Sequence, residues 1–211
     1  QFAALQLDGL TLVISPLIAL MKDQVDALNR RGIPATFINS AVPLPEQQQR
    51  LTLLAQGKYR LVYVAPERLR NVTFLRSLQS LTLSLLAVDE AHCISEWGHD
   101  FRPDYLHLAE ARKQLGNPLT VALTATATPK VQSDIIKNLD LREPNIFISS
   151  FNRPNLYYEV LPKIKKAQTD ENIVRFIKGM KNKSGIIYTL NRKTTEELAD
   201  ILMANGIKAV A

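Results

Sequence analysis

The sequence contains a single cysteine, Cys93, among 211 residues. One thiol excludes an intramolecular disulfide and a cysteine zinc cluster, and it fits a reducing compartment. No apolar run approaches the ~18–20 residues needed to cross a bilayer, so no membrane partner is expected. The opening stretch, Gln1 to Leu7, lacks the basic start and long apolar core of a signal peptide. Internal repeats and low-complexity tracts are lacking too. The chain begins without Met and ends on Val210-Ala211 inside an apolar run, which is expected of a piece cut from a longer protein.

What is present describes a folded chain. Hydrophobic residues make up 46% and charged residues of mixed sign 22%, enough for a core and against disorder. The length suits one domain, or one and part of a second. The formal charge of +6 suits a polyanionic partner without requiring one.

Short apolar runs at residues 10–14, 35–38, 61–64, 85–88 and 120–123 are rich in β-branched residues and too short for helices. Helical stretches lie between them at about 17–30, 45–56 and 104–115, closed by Gly32, Gly57 and Gly116. On the first of these, Leu17, Leu20, Met21 and Leu28 are expected to form the core face. Another helix starts at Thr128-Pro129 and runs to about Leu139. This alternation predicts an α/β fold, a parallel sheet with helices on both faces, with ligands at the carboxyl ends of the strands. The expected boundaries are a first domain at 1–150, a linker at 151–168 with a basic loop from Pro162 to Lys166, and the start of a second domain at 169–211. In that last part a helix is expected at about 170–181, a strand at 185–188, a helix at about 194–204 opened by a Thr194–Glu197 capping box, and a strand from Ile207.

The fourth apolar run leads directly into Asp89-Glu90-Ala91-His92. Two adjacent acids at a strand end lose solvation unless a partner compensates them. A Mg²⁺–nucleotide complex is one such partner. Asp89 would hold Mg²⁺ through water, and Glu90 would orient and deprotonate the attacking water. His92 could report phosphate state to its neighbours. The plainer alternative is that the acids cap the next helix. In Cys93 to Pro103, Trp97 and Phe101 offer π-faces, while His99 and Arg102 offer donors or charge for phosphates. Either aromatic could instead be a core anchor.

These residues carry a resemblance. Asp-Glu-Ala-His resembles the Walker B box of superfamily-2 helicases, and the run from Cys93 to Pro103 resembles the aromatic-rich loop of the RecQ family. Ser15-Pro16 through Val25 is similar to that family's motif Ia, Tyr63 to Leu69 to motif Ib, Ala122 to Thr128 to motif III, and Gly185 to Arg192 to motif IV. Thr189-Leu190-Asn191 departs from the Cys or Ser that the family often has there. The resemblance covers nearly the whole chain and implies RecA-like domains, the second only begun. It also implies an enzyme: an ATP-dependent 3′-to-5′ DNA helicase of DNA repair and recombination. Its cofactors would be ATP and Mg²⁺, and its partners single-stranded and partially duplex DNA. It would be cytoplasmic, and nucleoid-associated if bacterial.

The resemblance also assigns residues. Asp89, Glu90 and His92 would be catalytic, and Trp97, His99, Phe101 and Arg102 would sense DNA. Thr124 and Thr126 would relay nucleotide state. Ser15, Lys22, Gln24, Pro66, Arg68, Asn191 and Arg192 would face DNA, although Lys22 and Gln24 could simply be solvated and Arg68 could pair with Glu67.

No Gly-x-x-x-x-Gly-Lys-Ser/Thr loop occurs in the chain. The nearest approach, Gly179 to Ser184, has Asn182 at the second glycine and precedes a strand. These residues alone are therefore expected to be inactive as an ATPase. Two other readings stand beside the first: a non-catalytic helicase-like nucleic-acid-binding module, and another superfamily-2 motor acting on RNA.

Overall fold

The structure, a computed structural model, describes residues 1–150, 153–162, 165–180 and 183–211. Phe151 and Asn152 of the expected linker, Lys163 and Ile164 of the basic loop, and Lys181 and Asn182 lie outside the described residues. The chain divides into two compact units, Gln1–Phe147 and Ile148–Ala211.

In the first unit the elements run α1 (Phe2–Gln6), β1 (Leu10–Ile14), α2 (Ile18–Arg30), β2 (Ala35–Ile38), α3 (Leu44–Ala55), β3 (Leu61–Val64), α4 (Val72–Gln79), β4 (Leu83–Val88), α5 (Leu108–Gln114), β5 (Thr120–Ala122) and α6 (Pro129–Asn138). Among the described residues, the five strands form one parallel sheet in the order β2-β3-β1-β4-β5. Its side chains alternate between two cores. Leu12, Ile14, Val62, Val64, Leu86 and Val88 pack against Leu54 of α3, Phe74 and Leu78 of α4, Leu108 of α5 and Val131 of α6. Leu61, Tyr63, Ala35 and Leu85 pack on the other face against Ala4 of α1 and Met21, Val25 and Leu28 of α2. The period of two along each strand explains why the apolar runs are continuous: both faces are covered. The fold is the α/β arrangement expected from the sequence.

Several local expectations are corrected. Residues 104–115 are not one helix: a 3₁₀ turn, Pro103–His107, precedes α5. The tighter turn accompanies Tyr105, which is buried and donates its hydroxyl to the Asp89 carbonyl at 2.9 Å. Leu17 and Leu20 are exposed, at 42% and 38%. The buried stripe of α2 is Met21, Val25 and Leu28, and a residue next to Met21 is rotated by about 100° away from it. Helix α4 was not anticipated. Asn71 caps it by accepting from Phe74 N at 2.9 Å, and Phe74, Leu75 and Leu78 bury its inner face.

In the second unit, α7 (Lys166–Gly179) and α8 (Arg192–Ala204) pack through Ile173, Val174, Ile177, Leu198, Ile201 and Leu202. Among the described residues, the stretches at 185–188 and from Ile207 are not strands, and Ile186 and Tyr188 are 80% and 90% exposed. A strand needs a ladder partner for its backbone groups, and none of the described residues supplies one. Helix α8 starts earlier than expected because Asn191 is its cap, accepting from Thr194 N at 2.9 Å. The Thr194–Glu197 box does not form; Glu197 pairs with Lys166 instead. No helix among the described residues is long and apolar enough to cross a membrane.

Candidate functional site

Because the strands of the first unit are parallel, their carboxyl ends share one edge of the sheet. Asp89 follows β4 there, and its N–H continues the ladder by donating to Ile14 O at 2.8 Å. Its side chain is held from two directions. Oδ2 accepts from Ser15 Oγ at 3.1 Å, just past β1, and Oδ1 accepts from the N–H of Glu90 at 3.0 Å. Burial pushes the Tyr105 phenol up, so it remains the donor that fixes the Asp89 carbonyl.

Glu90 has φ 48°, left-handed for a residue with a side chain. This turns the chain out of the strand and places Glu90 Oε2 3.3 Å from His92 Nδ1. His92 is buried, and the same Nδ1 lies 2.9 Å from Thr124 Oγ1, just past β5. Thr124 Oγ1 donates to Thr126 O at 3.1 Å. With its one proton committed there, the hydroxyl accepts from His92, which puts the ring proton on Nδ1. The carboxylate of Glu90 favours the same tautomer.

The ring of His92 stacks on His99, with centroids 4.1 Å apart and planes inclined by 21°. His99 Nδ1 is in turn 3.5 Å from Thr126 Oγ1. Burial, with a smaller contribution from His99, holds His92 below the usual histidine value of 6.5, although Glu90 and Asp100 act the other way. The consequence for stability has a definite sign. As pH falls through about 6.5 the unfolded chain takes up a proton at this residue that the folded chain refuses. Stability is full above that pH and declines below it, towards the lower folded value. Thermal unfolding at about pH 7.5 and about pH 5.5 should show a lower midpoint in acid, and His92→Gln should shrink the gap. An undiminished gap in that variant would assign the effect elsewhere.

The segment after His92 folds back over this edge. Arg102 N donates to Cys93 O at 2.9 Å. Arg102 donates through Nε and Nη2 to Asp100 Oδ2, at 3.0 and 2.9 Å, and its Nη1 reaches Pro16 O at 3.4 Å. The guanidinium holds the Asp100 carboxyl below its ordinary value. Burial pushes the Cys93 thiol up to about 12, so it stays protonated and unreactive. Trp97 is not a core anchor: it is 68% exposed, with Lys130 Nζ 3.2 Å from its ring centroid. Phe101 is half-buried.

The structure thus brings together Ser15, Asp89, Glu90, His92, His99, Thr124 and Thr126, and places Trp97, Phe101 and Arg102 on the loop that covers them. Among the described residues, Lys22, Gln24 and Arg68 make no bond to this network. Lys22 pairs with Asp26 at 2.7 Å, Gln24 accepts from Gln1 Nε2 at 3.2 Å, and Arg68 lies over the Phe74 ring at 5.4 Å rather than on Glu67. Pro66 is buried. Asn191 and Arg192 belong to the second unit, where Asn191 serves as a cap. The reading of the sequence missed Tyr105, Asp100, Lys130 and Asp134. Their partners are fixed by tertiary packing, and only Asp100, two residues from Arg102, had a local signal.

A family model described as DEAD/DEAH box helicase matches residues 2–135. The chain belongs to the DEAD/DEAH box helicase family. This helicase chain is 44% identical to the ATP-dependent DNA helicase RecQ of Pasteurella multocida, over 100% of the chain and 33% of that protein. It is 44% identical to the RecQ helicase of Bacillus subtilis, over 99% of the chain and 35% of that protein. It therefore spans about a third of the length of these curated relatives. Among solved structures, the Mycobacterium smegmatis helicase Lhr, bound to single-stranded DNA and AMP-PNP, matches with a TM-score of 0.57 and 18% identity. That match covers 94% of this helicase chain and 29% of Lhr, and it supports the RecA-like fold.

Proposed function

We propose that this helicase chain is the coupling part of an ATP-dependent DNA helicase of the RecQ type, joining nucleotide hydrolysis to single-stranded DNA. The observation that carries the reading is the unbroken path from Asp89 and Glu90 through His92 to His99 and the loop that bears Trp97. Residues 1–150 form the first RecA-like domain in this reading, 151–168 the linker, whose last residues already open α7, and 169–211 the start of the second. The parent protein acts in the cytoplasm, at the nucleoid if bacterial.

Glu90 orients the attacking water and accepts its proton. His92 touches both Glu90 and Thr124, so a change at the phosphates reaches β5 and the loop in one step. Trp97 and Phe101 stack bases, and Arg102 meets a phosphate once released from Asp100. In the first unit Lys22, Gln24 and Arg68 are the candidates for the DNA backbone, whereas Ser15, bonded to Asp89, and buried Pro66 act by shaping the segments that carry them. Asn191 and Arg192 are the corresponding candidates of the second unit. The donors near Asp89 are hard oxygens, one carboxylate with a hydroxyl, and no cluster of three or more metal-binding side chains exists among the described residues. That set fits Mg²⁺, which keeps several waters and takes its other ligands from phosphates. Asp89 would hold the ion through water, and the ion would neutralise phosphate charge.

Trp97→Ala in the parent enzyme tests the reading. A lost base stack of about 1–3 kcal/mol should weaken DNA stimulation of ATP turnover roughly 5- to 150-fold, with turnover without DNA unchanged. Normal stimulation in this variant would refute the role given to the loop. Comparing DNA with RNA as the stimulating strand separates this reading from an RNA motor.

A further inference from the structure

Helix α6 holds the segment after His92 along a single stripe. Asn138 Nδ2 donates to Ile94 O at 3.4 Å, Asp134 Oδ2 accepts from Ser95 Oγ at 2.6 Å, and Lys130 Nζ stands over Trp97. Residues 130, 134 and 138 recur every four positions, which places them on the same face of the helix. The start of α6 is tied to the stretch that carries Thr124 and Thr126. Thr128 caps the helix by accepting from Val131 N at 3.4 Å, and Gln132 Nε2 donates to Ala127 O at 3.0 Å. One helix therefore joins the motif III stretch to the aromatic loop by a route separate from the His92–His99 stack.

Ser95 is the hinge of this arrangement. It is fully buried, its Oγ donates to Asp134, and the same oxygen accepts from Trp97 N at 3.2 Å. A short bond to a carboxylate is among the stronger kind, and a buried hydroxyl left without its acceptor is costly. Trp97 is largely exposed, so packing around its ring does not set its orientation. The Ser95 bond at its backbone and the ammonium on one ring face do.

We propose that α6 is the clamp of the aromatic loop: Asp134 is a positioning residue acting through Ser95, and Lys130 occupies one face of Trp97, leaving the opposite face for a nucleobase. The second half rests on the proposed function of the loop; the first half does not. A base stacking on the open face keeps the Lys130 ammonium beside it, where the strand's phosphates run. This gives the platform one productive side and a built-in preference for a polyanion.

Trp97 is the sole tryptophan of the chain, so intrinsic emission of the 211-residue protein reports that ring alone. Asp134→Ala and Ser95→Ala should each shift the emission and raise acrylamide quenching, and the double variant should add nothing beyond either single change. Asp134→Asn, which keeps an acceptor for Ser95, should restore the wild-type spectrum. Lys130→Gln should roughly double the quenching constant, because the ammonium screens one of the ring's two faces. Wild-type quenching in Asp134→Ala, additive effects of the two single changes, or failure of Asp134→Asn to rescue would overturn the clamp. If Asp134→Ala does not fold by far-UV circular dichroism, Ser95→Ala and Lys130→Gln decide the matter by the same criteria. Titration with a thymidine oligonucleotide separates the two readings. If it fails to quench the wild-type chain, the base-stacking role of Trp97 falls, while the spectra of the DNA-free variants still judge the clamp.

Discussion

Glu90→Gln in the parent enzyme should lower ATP turnover by roughly a hundred- to ten-thousand-fold, the usual contribution of a positioned general base. Nucleotide binding should be kept. The substitution preserves length and shape, and the amide oxygen it introduces can still accept from His92 Nδ1, which now lies 3.3 Å from Glu90 Oε2. What is lost is the capacity to take a proton from water. The backbone at Glu90 is held in an unusual conformation. A non-glycine residue at φ 48° carries strain of order 1–3 kcal/mol, and such strain persists where surrounding contacts over-determine it. Here the Asp89 carboxylate accepts from the N–H of Glu90, and Ala91 N is bonded to Leu123 O at 2.9 Å. Steady-state turnover measured alongside the affinity for a non-hydrolysable ATP analogue checks the prediction. Parallel loss of both would place Glu90 in binding instead.

The parts of this site that could be read from the sequence are those whose signal is local. Asp89, Glu90 and His92 are contiguous or nearly so and follow an apolar run, so strand periodicity alone put them at the sheet's carboxyl edge. Thr128 followed by Pro129 announced α6 in the same way. Leu17 and Leu20 misled because apolar content alone does not say which residues share the buried stripe: Leu17 is the cap residue before α2, and Leu20 is turned off the Met21–Val25–Leu28 face. The stretch at 185–188 misled because β-branched content describes a strand's side chains and says nothing about a partner for its backbone. The contacts that organise the loop escaped for a third reason. Ser95 and Asp134 are 39 residues apart, and although Ser95 lies in the aromatic-rich run, nothing in the sequence around Asp134 marks it as the partner. Stacking of His92 on His99 joins two residues that were both singled out, but their parallel rings follow from how the loop folds back.

That fold-back depends on a close approach only glycine permits, which gives the second large effect. A Cβ at Gly98 would lie 2.4 Å from His92 O and 3.1 Å from Ser95 O. Both are backbone atoms with little freedom: Ser95 N is bonded to His92 O at 3.1 Å, and Gly98 N to Ser95 O at 2.9 Å. Gly98→Ala must therefore push the turn apart, at a cost of about 1–3 kcal/mol, typical of overpacking. The displacement acts at the loop end of the proposed coupling path, because Trp97 precedes Gly98 and His99 follows it. The expected result is a red-shifted, more quenchable Trp97, loss of the pH dependence contributed by His92, and, in the parent enzyme, loss of DNA stimulation with turnover in the absence of DNA retained. Gly57→Ala is the control. That glycine has φ 69° and nothing within 4 Å of an added Cβ, so its penalty of about 1–2 kcal/mol is conformational and remote from the loop. Both variants should melt below the wild type, but only Gly98→Ala should change the tryptophan spectrum at a temperature where the fold is intact. If the two behave alike, the loop tolerates the methyl group, and the His92–His99 stack does not depend on the closeness of this turn.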